Sequence, residues 1–252
     1  MENTKFWTKE KCLRLGSVAV GELFCLATII YRCIDYRGIS QVLICLLSAL
    51  CLIAPEIVER FLKIKIPTPI YLFALVYSLG PMLGHAYTFY AIIPWWDTLL
   101  HATGGVVFAL FGAYLPHVFQ RDGKCNLLVC ALFGLLFSVT VSAVWEFIEY
   151  FCDCFFVMDM QQDTVISGFN SYVLGSLDER IVGQSGVITE TIINGENGQF
   201  IVQGYIDTGI LDTMEDMLFE TLGAIVYTVV FLLDKGKHVG LAMPKKTDEK
   251  AE

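Results

Sequence analysis

The ionisable side chains that could do chemistry in this sequence lie in three short motifs within apolar segments. "WDTLLH" contains Asp97 and His101, "WEFIEY" contains Glu146 and Glu149, and "DTMEDMLFE" contains Asp212, Asp216 and Glu220. Spacings of three and four residues place the members of each motif on one face of a helix. Because charge is costly against lipid, we expect these faces to line a bundle interior or a water-filled cavity.

Acidic groups that converge in a membrane need compensation, and the residues alone leave three forms of it open. A divalent cation could be held by carboxylates and imidazole, protons could be shared at raised pKa values, or a ligand could supply a cationic group. The predicted metal ligands are Asp97, His101, Glu146, Glu149, Asp212 and Asp216. The predicted catalytic residues are His101, Asp97 and Glu146, with His101 as a base or a ligand.

Simpler roles compete for some of these residues. Asp97 and Asp212 stand where apolar runs begin, so each could be the N-cap of a helix, and Asp212 with Glu215 approximates a capping box. Capping leaves unexplained the residues predicted to lie within helices, which are His101, Glu146, Asp216 and Glu220. His85, in "GHAYTFY", is predicted to line the same cavity as Glu220 or to be a packed core histidine.

The elements that must position these motifs are transmembrane helices. The chain has 252 residues, 55% hydrophobic and only 17% charged, whereas soluble domains have about 25% charged residues. Six apolar blocks are long enough to span a bilayer, at about 13–34, 39–58, 68–92, 98–120, 126–151 and 213–233. No signal-peptide cleavage site follows the first block, so we expect it to remain as a helix. The net charge of −9 argues against nucleic acid as a partner.

Lysine and arginine predict the orientation of this six-helix, all-α bundle. Of the 17 such residues, 14 lie at the N-terminus, in the second and fourth loops and in the tail 234–252, and three lie on the opposite side. Basic residues favour the cytoplasm, so both termini should be cytoplasmic. The three acidic motifs then reach the same outer face, where Trp95 and Trp96 would mark the membrane interface.

Residues 152–212 are polar, acidic and rich in glycine, and are predicted to form an extracytoplasmic loop between the helices at 126–151 and 213–233. Alternation on both sides of Asn194–Gly198 predicts a β-hairpin with a five-residue loop, with a disordered loop as the alternative. The acidic residues of this segment, Asp153, Asp159, Asp163, Asp178 and Glu179, are expected to form a solvated face or, alternatively, a gate or a calcium contact.

The three motifs, in this order, resemble the YjdF-like family of bacterial inner-membrane proteins. The comparable pattern there is Y-D-x-x-x-H-x-x-x-G, then E-x-x-E, then D-T-x-x-D-M, and the resemblance covers about residues 80–226. More distantly the layout is similar to VanZ-like proteins, which have D-K-x-x-H-F, E-x-x-Q and D-x-x-x-N-x-x-G. The resemblance implies a multi-pass protein of the bacterial plasma membrane.

The motif positions that the resemblance carries over are Asp97, His101, Glu146, Glu149, Asp212, Asp216 and Gly223. Three residues depart from the VanZ-like pattern. Thr98 replaces lysine, Glu149 replaces glutamine and Glu220 replaces asparagine. These changes make the site more acidic, which favours a metal. VanZ-like proteins are linked to glycopeptide (teicoplanin) resistance and envelope stress, so the resemblance implies a role in the cell envelope.

Three functions follow as hypotheses. The first is an outward-facing polar site that engages an envelope lipid headgroup or a cell-wall precursor, with metal-assisted or Asp/His acid–base hydrolysis or transfer if it is catalytic. The second is an ion-coupled transporter that uses the carboxylates as proton or cation sites, against which the lack of an internal repeat counts. The third is a non-catalytic membrane binding module whose acidic loop recruits a partner.

Overall fold

A computed structural model describes residues 8–34, 39–62, 64–120 and 125–237. Within these ranges the chain is mostly helical. The helices are α1 Lys9–Ile34, α2 Ile39–Leu62, α3 Thr68–Ser78, α4 Gly80–Ala86, α5 Phe89–Ile92, α6 Trp96–Phe119, α7 Leu127–Phe156 and α8 Ile210–Leu233. By length and composition the described residues contain six spans that could cross a membrane, with α3 and α4 together forming the third. This confirms the prediction of six apolar helices, whereas the cytoplasmic position of both termini stays a prediction.

The third apolar block is not the single helix predicted at 68–92. Pro81 lacks an N–H at the start of α4, and the N–H of Leu79 donates to the carbonyl of Val76, which separates α3 from α4. Thr88 then adopts the left-handed conformation, with φ of 60°, so the span ends at Ala86 and α5 is a separate short turn. Hydropathy does not register these backbone features.

The chain forms two compact units. The first comprises residues 1–143 and 218–252, and the second comprises residues 144–217. The first unit therefore contains the N-terminal part of α7 and most of α8, and the second contains the end of α7, the intervening loop and the start of α8. Each unit is described by itself.

Small residues dominate the core of the first unit where α6, α7 and α8 pack. The buried cluster consists of Ala109, Leu110, Ala113, Cys130, Ala131, Ala224, Tyr227 and Phe231. Close approach of α6 and α8 depends on two glycines. A Cβ on Gly105 would collide with the carbonyl oxygen of Glu220, and one on Gly223 would collide with that of Ala102. Small residues thus replace hydrophobic bulk at the helix contact.

A buried arginine ties α1 to α2 and to the start of α3 in the same unit. Arg14 donates to Glu59 Oε1 at 2.8 Å and to the Ile66 carbonyl at 2.6 Å, and it also bonds Glu10 and Thr68. Fully paired in this way, the guanidinium avoids the cost of an isolated buried charge. The sequence prediction used Arg14 only as an indicator of topology.

The loop of the second unit contains three two-stranded antiparallel sheets. They pair β1 Val165–Ile166 with β6 Tyr205–Ile206, β2 Asn170–Ser176 with β3 Ile181–Gln184, and β4 Thr191–Gly195 with β5 Gly198–Val202. The predicted hairpin is present as β4–β5, but its five-residue loop is wrong. Gly195 pairs with Gly198, which leaves a two-residue turn, and Gly198 supplies the φ of 124° that side chains disfavour.

Backbone N–H groups at the base of this loop donate to side chains from both helix ends. Asp153 near the end of α7 accepts from the N–H of Met160 at 2.7 Å and of Gln161 at 2.9 Å. Asp212 in α8 accepts from the N–H of Gln162 at 2.9 Å. Asp153 is therefore a structural acceptor rather than part of a solvated face.

Candidate functional site

Within each compact unit, ionisable side chains of the three motifs lie close together. The histidine cluster consists of Asp97, His101 and Glu220 in the first unit. The carboxylate cluster consists of Glu146, Glu149 and Asp216 in the second unit. The single site predicted from the sequence stays a prediction.

In the histidine cluster, a buried imidazole lies between two acids. His101 Nε2 is 3.6 Å from Asp97 Oδ1, and His101 Nδ1 is 3.6 Å from Glu220 Oε2. These separations exceed ordinary hydrogen-bond lengths, and they place one carboxylate beside each ring nitrogen. A histidine held in this way can take up and return a proton, which is the chemistry of a general acid–base.

Three helices position the histidine cluster. Asp97 and His101 are one turn apart on α6, and the close contact at Gly105 and Gly223 brings α8 with Glu220 against α6. From α7, Ser138 Oγ lies 3.2 Å from the Gly105 carbonyl and 3.4 Å from Glu220 Oε1. The sequence prediction missed Ser138, although a hydroxyl in the middle of an apolar block is a signal that could have identified it.

Asp97 is not the N-cap of its helix. The cap position of α6 is Trp95, which makes no side-chain capping hydrogen bond, and Asp97 lies in the first helical turn. An acid in the first turn is favoured by the helix dipole. The capping alternative is therefore wrong for Asp97, and its side chain faces His101 instead.

The carboxylate cluster brings three buried acids together near the ends of two spanning helices. Glu146 and Glu149 lie on α7 and Asp216 lies on α8, with relative exposures of 4%, 5% and 4%. One carboxylate oxygen from each lies within 4.8 Å of the others. Trp145 Nε1 donates to Glu149 Oε1 at 2.7 Å, which fixes that carboxylate. An all-oxygen donor set suits a hard cation such as Mg²⁺, Mn²⁺ or Ca²⁺.

Asp212 has a different place in the structure. Its Oδ2 accepts the Gln162 N–H, and α8 begins two residues before it, at Ile210, so the capping alternative is wrong for Asp212 too. Asp207, which precedes the helix, accepts instead from the N–H group of Gly209 at 3.2 Å and from that of Leu211, in the first turn of α8, at 2.8 Å. The sequence prediction did not identify Asp207. The role of Asp212 as a metal ligand stays a prediction.

Electrostatics differ among the loop acids of the second unit. Burial would raise the pKa of Asp207, but N–H donors from Thr164, Leu211 and Gly209 outweigh it and lower that pKa. For Asp163, burial and the neighbouring charges of Asp207 and Asp153 raise the pKa. Backbone donors thus favour the charged form of Asp207, whereas repulsion from neighbouring carboxylates disfavours the charged form of Asp163.

His85 lies in α4 of the first unit. Its ring packs edge-on against Tyr90, with ring centroids 5.0 Å apart, and the side chain is half-buried. Aromatic packing against Tyr90 therefore explains the position of the His85 ring. Its predicted role in lining a cavity with Glu220 stays a prediction.

Comparison with known proteins identifies a family that the chain matches. Residues 18–236 match DUF2238, described as a predicted membrane protein family, and this range contains every member of both clusters. No curated protein and no solved structure matches the chain. Because the match extends over most of its length, the chain belongs to DUF2238, a family of predicted membrane proteins.

Proposed function

We propose that this protein is a multi-pass protein of the bacterial inner membrane whose carboxylate cluster binds a divalent cation and through it engages an envelope lipid headgroup or a cell-wall precursor. The observation that carries the proposal is the convergence of Glu146, Glu149 and Asp216, all buried, with ligand oxygens within 4.8 Å of one another. The three residues lie on helices long and apolar enough to span a membrane.

The charge of the cluster favours a cation. Acids within transmembrane segments are costly, and those that are kept mark ion, proton or substrate sites. Three carboxylate ligands do not complete the coordination of Mg²⁺ or Ca²⁺, which take six or more oxygen ligands. The remaining positions suit water or the phosphate oxygens of a headgroup, so the cation would link an anionic ligand to the buried carboxylate cluster.

The histidine cluster supplies an acid–base group for the first unit. With His101 as the proton acceptor, Asp97 and Glu220 orient the ring and stabilise its charged form. Metal-assisted or acid–base hydrolysis or transfer is the reaction class that this residue set and the predicted cation support, with Glu146 acting as a cation ligand. The outward orientation rests on the distribution of basic residues, and an envelope role, including a VanZ-like one in glycopeptide tolerance, rests on the resemblance of the motifs to the YjdF-like and VanZ-like families.

Mn²⁺ binding by the full-length purified protein tests the cation site. We expect Glu146→Gln and Asp216→Asn each to weaken Mn²⁺ binding at least tenfold in equilibrium dialysis. Glu215→Gln removes an exposed carboxylate next to Asp216 and should leave the affinity unchanged. Equal affinity in all three variants, or no binding by the wild type, contradicts the proposal. Elution volume and thermal unfolding verify that each variant is folded.

An ion-coupled transporter is the second candidate, and the observation that favours it is the buried histidine between two acids in spanning helices. Such arrangements occur in proton relays. It predicts proton-driven Mn²⁺ uptake into proteoliposomes that His101→Gln abolishes. Mn²⁺ binding without uptake would favour the first candidate.

A further inference from the structure

A cavity of about 320 Å³ lies in the first unit among the last turns of α6, the first turn of α7 and the end of α8. One part of its wall is apolar and includes Leu110, Leu127 and Phe231. Another part is polar and includes His117 and Lys235. The volume lies at the lower end of the range of about 300–1,000 Å³ that is typical of small-molecule sites.

We propose that this cavity binds a small amphiphilic anion, with a carboxylate head at Lys235 and an apolar chain against Leu110, Leu127 and Phe231. The lining residues that the structure describes include the basic side chain of Lys235 and no carboxylate. An anionic head therefore meets attraction without a competing acid in the wall. The apolar wall favours a hydrocarbon chain over a purely ionic ligand.

His117 is a second polar residue in the wall of the cavity. Its Nε2 lies 3.3 Å from Cys130 Sγ, and in the tautomer whose Nε2 accepts from the thiol the ring proton resides on Nδ1. In the described structure His117 Nδ1 is buried and makes no hydrogen bond. In that tautomer an anionic oxygen that reached Nδ1 would lower the free energy of the site, because a buried donor without an acceptor is costly.

The size of the cavity limits the ligand. A phospholipid with two full acyl chains exceeds about 300 Å³ severalfold, whereas a single medium-length chain with one carboxylate is on the scale of small ligand pockets. The chemistry assigned is therefore that of a free medium-chain carboxylate. This inference does not depend on the carboxylate cluster or on a bound cation.

Cysteine alkylation tests the proposal because Cys125 and Cys130 line the cavity. The full-length protein in detergent is treated with N-ethylmaleimide in the presence of decanoate, decanol or decylamine, and modification is followed by peptide mass spectrometry. Cys12 is exposed and does not line the cavity, so it serves as the internal reference. We expect decanoate to slow Cys125 alkylation severalfold relative to Cys12, and decanol and decylamine to have little effect.

The variant Lys235→Gln should abolish protection by decanoate, while Lys237→Gln, which removes a nearby exposed lysine outside the cavity wall, should retain it. Equal protection by all three amphiphiles would overturn the proposal, as would no protection by decanoate or full protection in Lys235→Gln. If Lys235→Gln fails to fold, the comparison of decanoate with decylamine on the wild type still decides the sign of charge that the cavity accepts.

Discussion

At the scale of single residues, Trp145 controls the geometry of the carboxylate cluster through one hydrogen bond. Its indole N–H holds Glu149 Oε1 at 2.7 Å. Groups that orient a metal ligand typically contribute about 10–100-fold to affinity. We expect Trp145→Phe, which keeps the ring but removes the donor, to weaken Mn²⁺ binding about tenfold in equilibrium dialysis.

The matched control is Trp95→Phe, because Trp95 is exposed and lies in the first unit. That variant should bind Mn²⁺ with wild-type affinity. If both variants bind equally well, the indole of Trp145 does not orient a cation ligand.

Asp207 makes stability depend on pH at the start of α8. Its pKa is lowered in the folded protein because three backbone N–H groups offset the effect of burial. A depressed pKa contributes stability above the ordinary aspartate pKa of about 3.9, and this stability is lost as the pH falls through the folded value. We expect Asp207→Ala to cost about 1 kcal/mol at pH 7, as caps usually do, measured by thermal unfolding.

The difference in unfolding free energy between Asp207→Ala and the wild type should become smaller below about pH 4, where the Asp207 carboxylate gains its proton. Asp163→Asn is the contrasting variant, because burial and the charges of Asp207 and Asp153 raise the pKa of Asp163. Its neutralisation should stabilise the protein at pH 7, and the gain should vanish on acidification. If the difference in unfolding free energy between Asp207→Ala and the wild type stayed constant from pH 7 to 3, the charge of Asp207 would not contribute to stability.

At the scale of elements, glycines determine how closely α6 and α8 pack. A Cβ at Gly105 or Gly223 would overlap a backbone carbonyl of the opposite helix, and backbone cannot yield as a side chain can. We expect Gly105→Ala and Gly223→Ala to destabilise the protein by about 1–3 kcal/mol, as overpacking does, and to lower the thermal unfolding midpoint.

The control for this pair is Gly16→Ala in α1, where a Cβ meets nothing within 4 Å. Alanine in an open helical position is favoured over glycine by about 1 kcal/mol, so this variant should be neutral or stabilising. Destabilisation of Gly16→Ala to the same degree would show that the loss is not specific to the helix contact.

Sequence patterns predicted the helices because long apolar blocks are typical of membrane spans, and period-two alternation predicted the β4–β5 hairpin. They failed at Thr88, whose left-handed backbone leaves hydropathy unchanged, and at the turn of β4–β5, where two glycines extend the ladder. Spacing placed Glu146 and Glu149 on one helix face, but the orientation of Glu149 by Trp145 and the contact of Ser138 with Glu220 depend on rotamers that spacing does not encode.

At the scale of the whole molecule, the prediction concerns the orientation of the chain in the membrane. The excess of lysine and arginine on one side should place both termini in the cytoplasm and residue Asp97 outside. A reporter enzyme active only outside the cytoplasm should be active when fused after Asp97 and inactive when fused at the C-terminus. Activity in the opposite pattern would reverse the predicted topology, while leaving the helices and the geometry of each cluster unchanged.

The tight turn of the β4–β5 hairpin has a practical consequence for imaging. Glu196 and Asn197 are exposed at the tip, and both flanking strands are held by a continuous ladder from Thr191–Val202 to Gly195–Gly198. A short epitope inserted between these two residues would be presented at an exposed turn whose flanking strands are hydrogen-bonded to each other. An antibody fragment bound there would add mass to a small membrane protein, which makes its particles easier to recognise in cryo-electron microscopy.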